Sequence, residues 1–463
     1  MISTNQAVKP TVKLRPPKVK GWPLLGPLPT IIKDIYQFLL EAQERYGDVY
    51  TIDLGLLDIM VFNHPRHVEH IFVSHFRNYR KGGPMWDSIR DLTGNGIVTS
   101  EGDFWRKQRR MMQPQFHRKR IAGLADLMVE AIDESLPHWD EMAEAGQAMD
   151  MALEFPRMTM QVIVKTMFGT AVSTAEADRV GDALTFALDY ILQSLVTKSL
   201  PAWIPVPGRR RYQEAVAEID EIVMAVIERR RQSSEPGDDL LTMLLQLVDE
   251  ETGEGMTNQQ LRDEAVTLFL AGYETTATAL MWLFNTLPGQ PDVVAKLRQE
   301  IDQVLVGRTP TLTDLPKLSY THMVLQESLR LYPPAWWLMR TAVEDDEIDG
   351  FHIPAGTLVM PMPYTVHRHP EIWDDPEAFI PERFAPDQVA KRHKFAWTPF
   401  GAGQRLCIGR DFALMEGQLI LARILQRYRL EAVPGHEARK QLSTTLRSKD
   451  GIFIRLSPTQ PTT

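Results

Sequence analysis

"PFGAGQRLCIGRDFALME" (residues 399–416) contains Cys407, the only cysteine of the 463-residue chain. Gly401, Gly403 and Gly409 permit backbone conformations and close approaches that a side chain forbids. Beyond the cysteine, Phe412, Leu419, Ile420, Ile424 and Leu425 recur at helical spacing, which predicts a helix over about 409–428. Cys407 thus sits just ahead of a helix N-terminus, where free N–H groups and the helix dipole favour a thiolate over a thiol. Arg405 and Arg410 add positive charge. A lone buried cysteine is ordinarily a small apolar filler; a thiolate in this setting is a nucleophile or a metal ligand.

A nucleophile needs a partner base, and none of the twelve histidines stands in a hydrolase context. One cysteine without a histidine cluster does not make a tetrahedral zinc site. "GAG" lacks the remaining spacing of a phosphate cradle. Ligation of haem iron needs only one sulfur, because the porphyrin fills the four equatorial positions. Phe400, Gly403, Arg405, Cys407 and Gly409 stand in the pattern F-x-x-G-x-R-x-C-x-G, with Ala413 and Glu416 extending it as A-x-x-E. On these residues the stretch resembles the signature of the cytochrome P-450 haem-thiolate monooxygenases.

Other motifs agree with that resemblance. "LFLAGYETTATALMW" (268–282) lies in a helix that Thr257 and Gln260 open as a capping box and Pro288 closes. Its "AGYETT" resembles the family's A-G-x-D/E-T segment, which implies that Gly272 lets the helix approach dioxygen and that Glu274 and Thr275 manage proton delivery. "ESLR" puts Glu327 and Arg330 on one helix face. Its apolar neighbours suggest burial, and the resemblance adds Arg383 of "FIPERF" as the third member of a structural network. In "FWRKQRR" (104–110), Trp105 and Arg109 lie four apart. By resemblance they grip the haem propionates together with Arg340 and Arg405, with Arg80 as a looser match.

The fold implied is mainly α with small β-sheets, the haem lying between the distal oxygen-binding helix and the proximal cysteine loop. Residues 1–20 read as a loose arm and 21–463 as one domain, since no polar linker is long enough to divide it. "YGDVYTIDLGLLDIMVFN" (46–63) predicts a hairpin, and "TAVEDDEIDGFHIPAGTLVMP" predicts strands with turns at Asp349-Gly350 and 354–356. The composition, 44% hydrophobic and 24% charged, is that of a globular protein, and a net charge of −9 argues against a nucleic-acid binder. No apolar run is long enough to span a bilayer, the N-terminus does not read as a secretory signal, and a cytoplasmic monomer is expected.

The resemblance implies a haem b (iron protoporphyrin IX) enzyme that uses dioxygen as co-substrate to hydroxylate or epoxidise an apolar molecule. NAD(P)H electrons would come indirectly, through a ferredoxin or flavodoxin with its reductase. Lys107, Arg110, Lys391, Arg392, Lys394 and Arg410 are the expected donor-docking cations. Met85, Trp86, Phe269, Ala271, Trp336, Trp337 and Leu338 are expected around the substrate, with the segment near "PAWIPVPG" (201–208). Fatty acids, terpenoids, steroids and polyketides all remain open. A haem sensor would need an output module for which the chain has no spare length. A peroxide isomerase usually lacks the acid–threonine pair.

Overall fold

The structure, a computed structural model, describes residues 13–22, 26–55, 57–197, 205–233, 239–249 and 251–459. The residues expected near 201–204 therefore lie outside the described part. Helices occupy most of the chain from Pro65 to Leu331. The longest of the central ones, Asn258–Thr286, begins with the expected capping box: Gln260 N–H donates to Thr257 Oγ1 (3.2 Å) and Thr257 N–H to Gln260 Oε1 (2.8 Å). It crosses the middle of the molecule, packed most extensively against helix Met151–Ile163.

Strands β1 (Val49–Asp53) and β2 (Asp58–Phe62) form the expected hairpin, with Val49 opposite Phe62. They continue into a five-stranded sheet with β3 (Tyr79–Arg80), β5 (Arg340–Ala342) and β8 (Leu358–Pro361), in the order β1-β2-β8-β5-β3. A second sheet places the C-terminal strand β10 (Phe453–Pro458) between β4 (Ala148–Asp150) and β9 (Tyr428–Ala432). β6 (Asp346–Ile348) and β7 (Phe351–Ile353) form a tight hairpin. Asp349 (φ 52°) and Gly350 (φ 78°) make the left-handed turn that closes it.

Residues 13–20, read from sequence as part of a loose arm, are instead paired. Val19 N–H donates to Thr51 O (2.9 Å), Thr51 N–H to Pro17 O (2.8 Å) and His352 N–H to Leu14 O (2.9 Å). The arm satisfies backbone groups along the sheet that would otherwise stay open.

Candidate functional site: a thiol and a ring of cations around an internal void

Gly401 (φ 73°) and Gly403 (φ 65°) turn the cysteine loop through left-handed conformations. A Cβ at Gly403 would stand 2.0 Å from the Phe72 carbonyl oxygen, so only glycine lets the loop seat there. Cys407 N–H closes the loop onto Phe400 O (2.9 Å), and helix Arg410–Arg427 follows. The Cys407 side chain has accessible surface, yet burial pushes its thiol up. Together these place the sulfur on an enclosed space. The Gly409 N–H and the charges of Arg109, Lys81 and Arg410 pull the other way without prevailing. The helix terminus and its neighbouring cations do not outweigh burial by themselves, and a bound metal cation would deprotonate this sulfur.

Four cations surround the same space. Burial pushes Lys81 well below its usual range, with Arg340 and Arg405 adding repulsion. Burial first, and Arg405 second, bring Arg340 down to about 9; burial brings Arg405 down to about 10, and Arg109 is lowered too. Among the described residues one carboxylate, Glu101, answers them: it pairs with Arg405 at 2.8 Å and accepts the Lys81 backbone N–H at 3.0 Å, while the Lys81 ammonium donates to Val98 O (2.5 Å). Arg405 lies 3.8 Å over the Trp105 ring, and Arg340 lies over the Phe72 (4.7 Å) and Trp86 (5.8 Å) rings. The Trp105 indole N–H has no acceptor among the described residues. Crowded, desolvated like charges with free donors call for an anion. The donor set of one sulfur, a surplus of cations and a free indole N–H fits a haem with its two propionates. Of the residues expected from sequence, Trp105, Arg109, Arg340 and Arg405 lie together here. Lys81 was missed: Arg80, the looser match, is exposed, and its neighbour turns inward.

From Leu261 to Phe284 the central helix is buried except at Leu270, Ala271, Gly272 and Thr275. Accessible surface in the middle of a buried helix marks an internal space beside these residues. Thr275 Oγ1 donates to Ala271 O (2.7 Å). Glu274, one residue earlier, is buried and points elsewhere: its Oε1 accepts from Thr445 Oγ1 (2.7 Å) and from Arg447 Nε (2.7 Å). A Cβ at Gly272 would meet Ile163 Cδ1 at 2.3 Å, so the glycine permits close packing between the two helices.

The residues expected around the substrate differ in burial. Phe269 is fully buried and stacked on Phe168 (4.0 Å). Met85, Trp86, Trp336 and Trp337 are buried as well. Trp86 donates to Met339 O, Trp336 to Ser443 O and Trp337 to Thr444 O, at 3.0, 3.1 and 3.1 Å. Only Ala271 and Leu338 of the seven are open or half-open. The C-terminal loop 443–447 was missed entirely, since nothing in its sequence announces a partner on the central helix.

Glu327 and Arg330 form a fully buried pair (2.7 and 2.8 Å). Arg383 approaches Glu327 only to 3.6 Å, and its Nε has no hydrogen bond. The remaining bonds come from backbone: Arg330 donates to the carbonyls of His367 (2.9 Å), Pro376 (2.6 Å) and Ala378 (2.9 Å), and Ile380 N–H donates to Glu327 Oε1 (2.8 Å).

Among the expected docking cations, Lys107 is paired with Glu254 (2.9 Å) and Arg110 with Asp249 (2.9 Å) and Glu251 (2.8 Å). Lys391 faces Asp387 (3.6 Å), Arg410 pairs with Asp411 (3.0 Å), and Arg392 lies over Trp373 (4.5 Å). Lys394, Lys119 and Arg120 are exposed and have no ion-pair partner among the described residues.

Comparison with known proteins agrees with this site. The model of the Cytochrome P450 family matches residues 16–456. The chain is 37% identical over 414 residues to cyclooctat-9-en-7-ol 5-monooxygenase of Streptomyces melanosporofaciens, covering 89% of each. It is 32% identical over 422 residues to pentalenene oxygenase of Streptomyces avermitilis, covering 91% of this chain and 93% of the relative. The crystal structure of the cytochrome P450DA heme domain superposes with a TM-score of 0.89 at 27% identity, over 97% of this chain and 99% of the other. No helix among the described residues is long and apolar enough to cross a membrane. With a lone cysteine facing a void and cations ringing it, this chain belongs to the cytochrome P450 family and is a haem monooxygenase that oxygenates apolar molecules with electrons from redox partners.

Proposed function

We propose that the chain binds haem b through Cys407 and oxygenates a cyclic terpenoid. Trp105, Arg109, Arg340, Arg405 and Lys81 would hold the propionates, with Phe400 beside the sulfur. The carrying observation is the lapse of burial at Ala271 and Thr275 in an otherwise buried helix, together with the accessible sulfur of the only cysteine, ringed by cations. When bound, haem supplies the reduction and cleavage of dioxygen. The chain's own task is then to deliver protons and exclude bulk water. Thr275 Oγ1, at the cavity wall, hands a proton inward, and Glu274 resupplies it from the side of loop 443–447.

The accessible apolar groups Leu270, Ala271 and Leu338 suit a hydrocarbon skeleton. Both named relatives above carry terpenoid names, which supports that class for this chain. Electrons would come from a ferredoxin or flavodoxin with its NAD(P)H reductase, to a monomer in the cytoplasm. The main core draws residues from Val19 to Leu456, which supports a single domain over 21–463. Two measurements test the reading. The reduced, carbon monoxide-bound protein should show the red-shifted Soret band of thiolate ligation and lose it in Cys407→Ala; retention of the band would refute the ligand. Cyclooctat-9-en-7-ol and pentalenene should shift the ferric spin state at lower concentration than lauric acid or testosterone; the reverse order would remove the terpenoid assignment.

A further inference from the structure

Loop 443–447 is anchored at several points. Indole N–H groups of Trp336, Trp337 and Trp282 donate to the carbonyls of Ser443 (3.1 Å), Thr444 (3.1 Å) and Leu446 (2.5 Å). The next residue, Arg447, is largely buried and shared between two acids on two helices. Its Nε meets Glu274 Oε1 at 2.7 Å, and its Nη1 meets Asp189 Oδ1 at 3.1 Å on helix Thr174–Thr197. Its Nη2 is buried with no acceptor.

Holding the loop does not require that charge, because three tryptophans already pin it. Buried ion pairs are on balance replaceable by apolar side chains without loss of stability. One guanidinium divided between two carboxylates, with a donor left over, is instead suited to setting where an acid points. Glu274 is held towards loop 443–447, while Thr275 bonds back to Ala271 O. Helix Thr174–Thr197 packs on helix Pro84–Thr93 and meets the central helix through Thr185 Oγ1 and Tyr273 OH (3.2 Å). A displacement of that helix would therefore change how Arg447 divides itself.

We propose that Arg447 is a positioning residue for proton delivery, holding Glu274 away from Thr275 and tying it through Asp189 to helix Thr174–Thr197. When Asp189 takes the larger share of Arg447, Glu274 is freed to turn towards Thr275. The proton it passes is replaced from water, and no other bond is made or broken. This rests on the reading of Glu274 as the delivering acid.

The test uses the haem-loaded protein and two readouts. One is the C–O stretch of the ferrous carbon monoxide complex, which senses the field in the cavity and needs no substrate. The other is product formed per NADPH with cyclooctat-9-en-7-ol as probe. Arg447→Gln removes the cation that holds Glu274, so that protons arrive out of step with electrons; it should shift the stretch and lower coupling by about tenfold. The substrate-induced spin shift should stay the same. Arg447→Lys should restore most of both, and Glu274→Gln/Arg447→Gln should behave as Glu274→Gln alone. If Arg447→Gln fails to load haem, Asp189→Asn, which keeps the Glu274 contact, should still shift the stretch in the loaded protein. A wild-type stretch and coupling in Arg447→Gln (or a wild-type stretch in Asp189→Asn), or losses that add in the double variant, would leave Arg447 a structural residue only. Wild-type coupling in Glu274→Gln would overturn the underlying reading first and this proposal with it.

Discussion

Gly272 lies so close to Ile163 that a Cβ on it would meet Ile163 Cδ1 at 2.3 Å and Cγ1 at 2.8 Å. Alanine would improve helix propensity by about 1 kcal/mol, but overpacking costs about 1–3 kcal/mol. Gly272→Ala should therefore lower stability in denaturant titration, and Ile163→Val, which removes Cδ1, should recover part of the loss. Product yield per electron should hold in the loaded variant. A stable Gly272→Ala with poor coupling would instead return the glycine to an oxygen-binding role.

Thr275 stands at the void with its hydroxyl bonded to Ala271 O. Thr275→Ala should leave the substrate-induced spin shift nearly intact while NADPH electrons go to hydrogen peroxide. Peroxide and product assays on the same sample check this; unchanged coupling would remove the proposed role of the hydroxyl.

The buried Glu327–Arg330 pair and the peripheral Arg383 should differ in weight. Removing Glu327 strands a buried guanidinium, at a cost of about 3–5 kcal/mol. Glu327→Ala should give haem-poor, unstable protein. Arg383→Ala, losing a contact of 3.6 Å, should load haem and lose far less stability. Equal losses in thermal melts would mean that Arg383 belongs to the network after all.

Electron-donor docking should follow the unpaired cations. Lys107 and Arg110 are already neutralised by Asp249, Glu251 and Glu254. Lys119 and Arg120 lie on a helix packed against Arg410–Arg427, the helix that follows the cysteine. Reversing Lys119, Arg120 and Lys394 to glutamate should slow the first electron transfer from an acidic ferredoxin, and added salt should flatten the difference, since charges are screened beyond ~8–10 Å. Stopped-flow reduction at two ionic strengths decides it; a larger effect from Lys107 and Arg110 would put the donor over the 249–254 loop.

Glu416, on the helix after the cysteine, is fully buried, and neither carboxylate oxygen completes a hydrogen bond; Thr276 is the polar side chain facing it. Burial pushes its carboxyl up to about 8 from an ordinary 4.5. The folded chain thus binds a proton that the unfolded chain has released, so stability is full below about 4.5 and falls as pH rises towards about 8. Burial raises Glu264 to about 8 as well, adding to the same slope. Glu416→Gln should flatten the fall in melting temperature between these limits without abolishing it. A slope as steep as that of the parent would show Glu416 to be ionised in the fold.

What the sequence determined by itself is local. The cysteine loop, the Thr257 capping box, the Glu327–Arg330 pair and the Asp349-Gly350 turn each depend on residues a few positions apart, where helix period and left-handed turns leave little choice. The tertiary structure decided what depends on facing and on distant partners. Arg80 and Lys81 differ by one residue at the end of a strand, yet the first is exposed and the second desolvated beside Arg340 and Arg405. Tryptophans expected around the substrate became anchors because their N–H groups, once buried, required acceptors, and those lay 107 residues away in loop 443–447. Glu274 found its cation 173 residues further on, and Lys107 its acid 147 residues away. Desolvation makes such pairings obligatory once the groups are buried, but only the packed chain decides which charges meet.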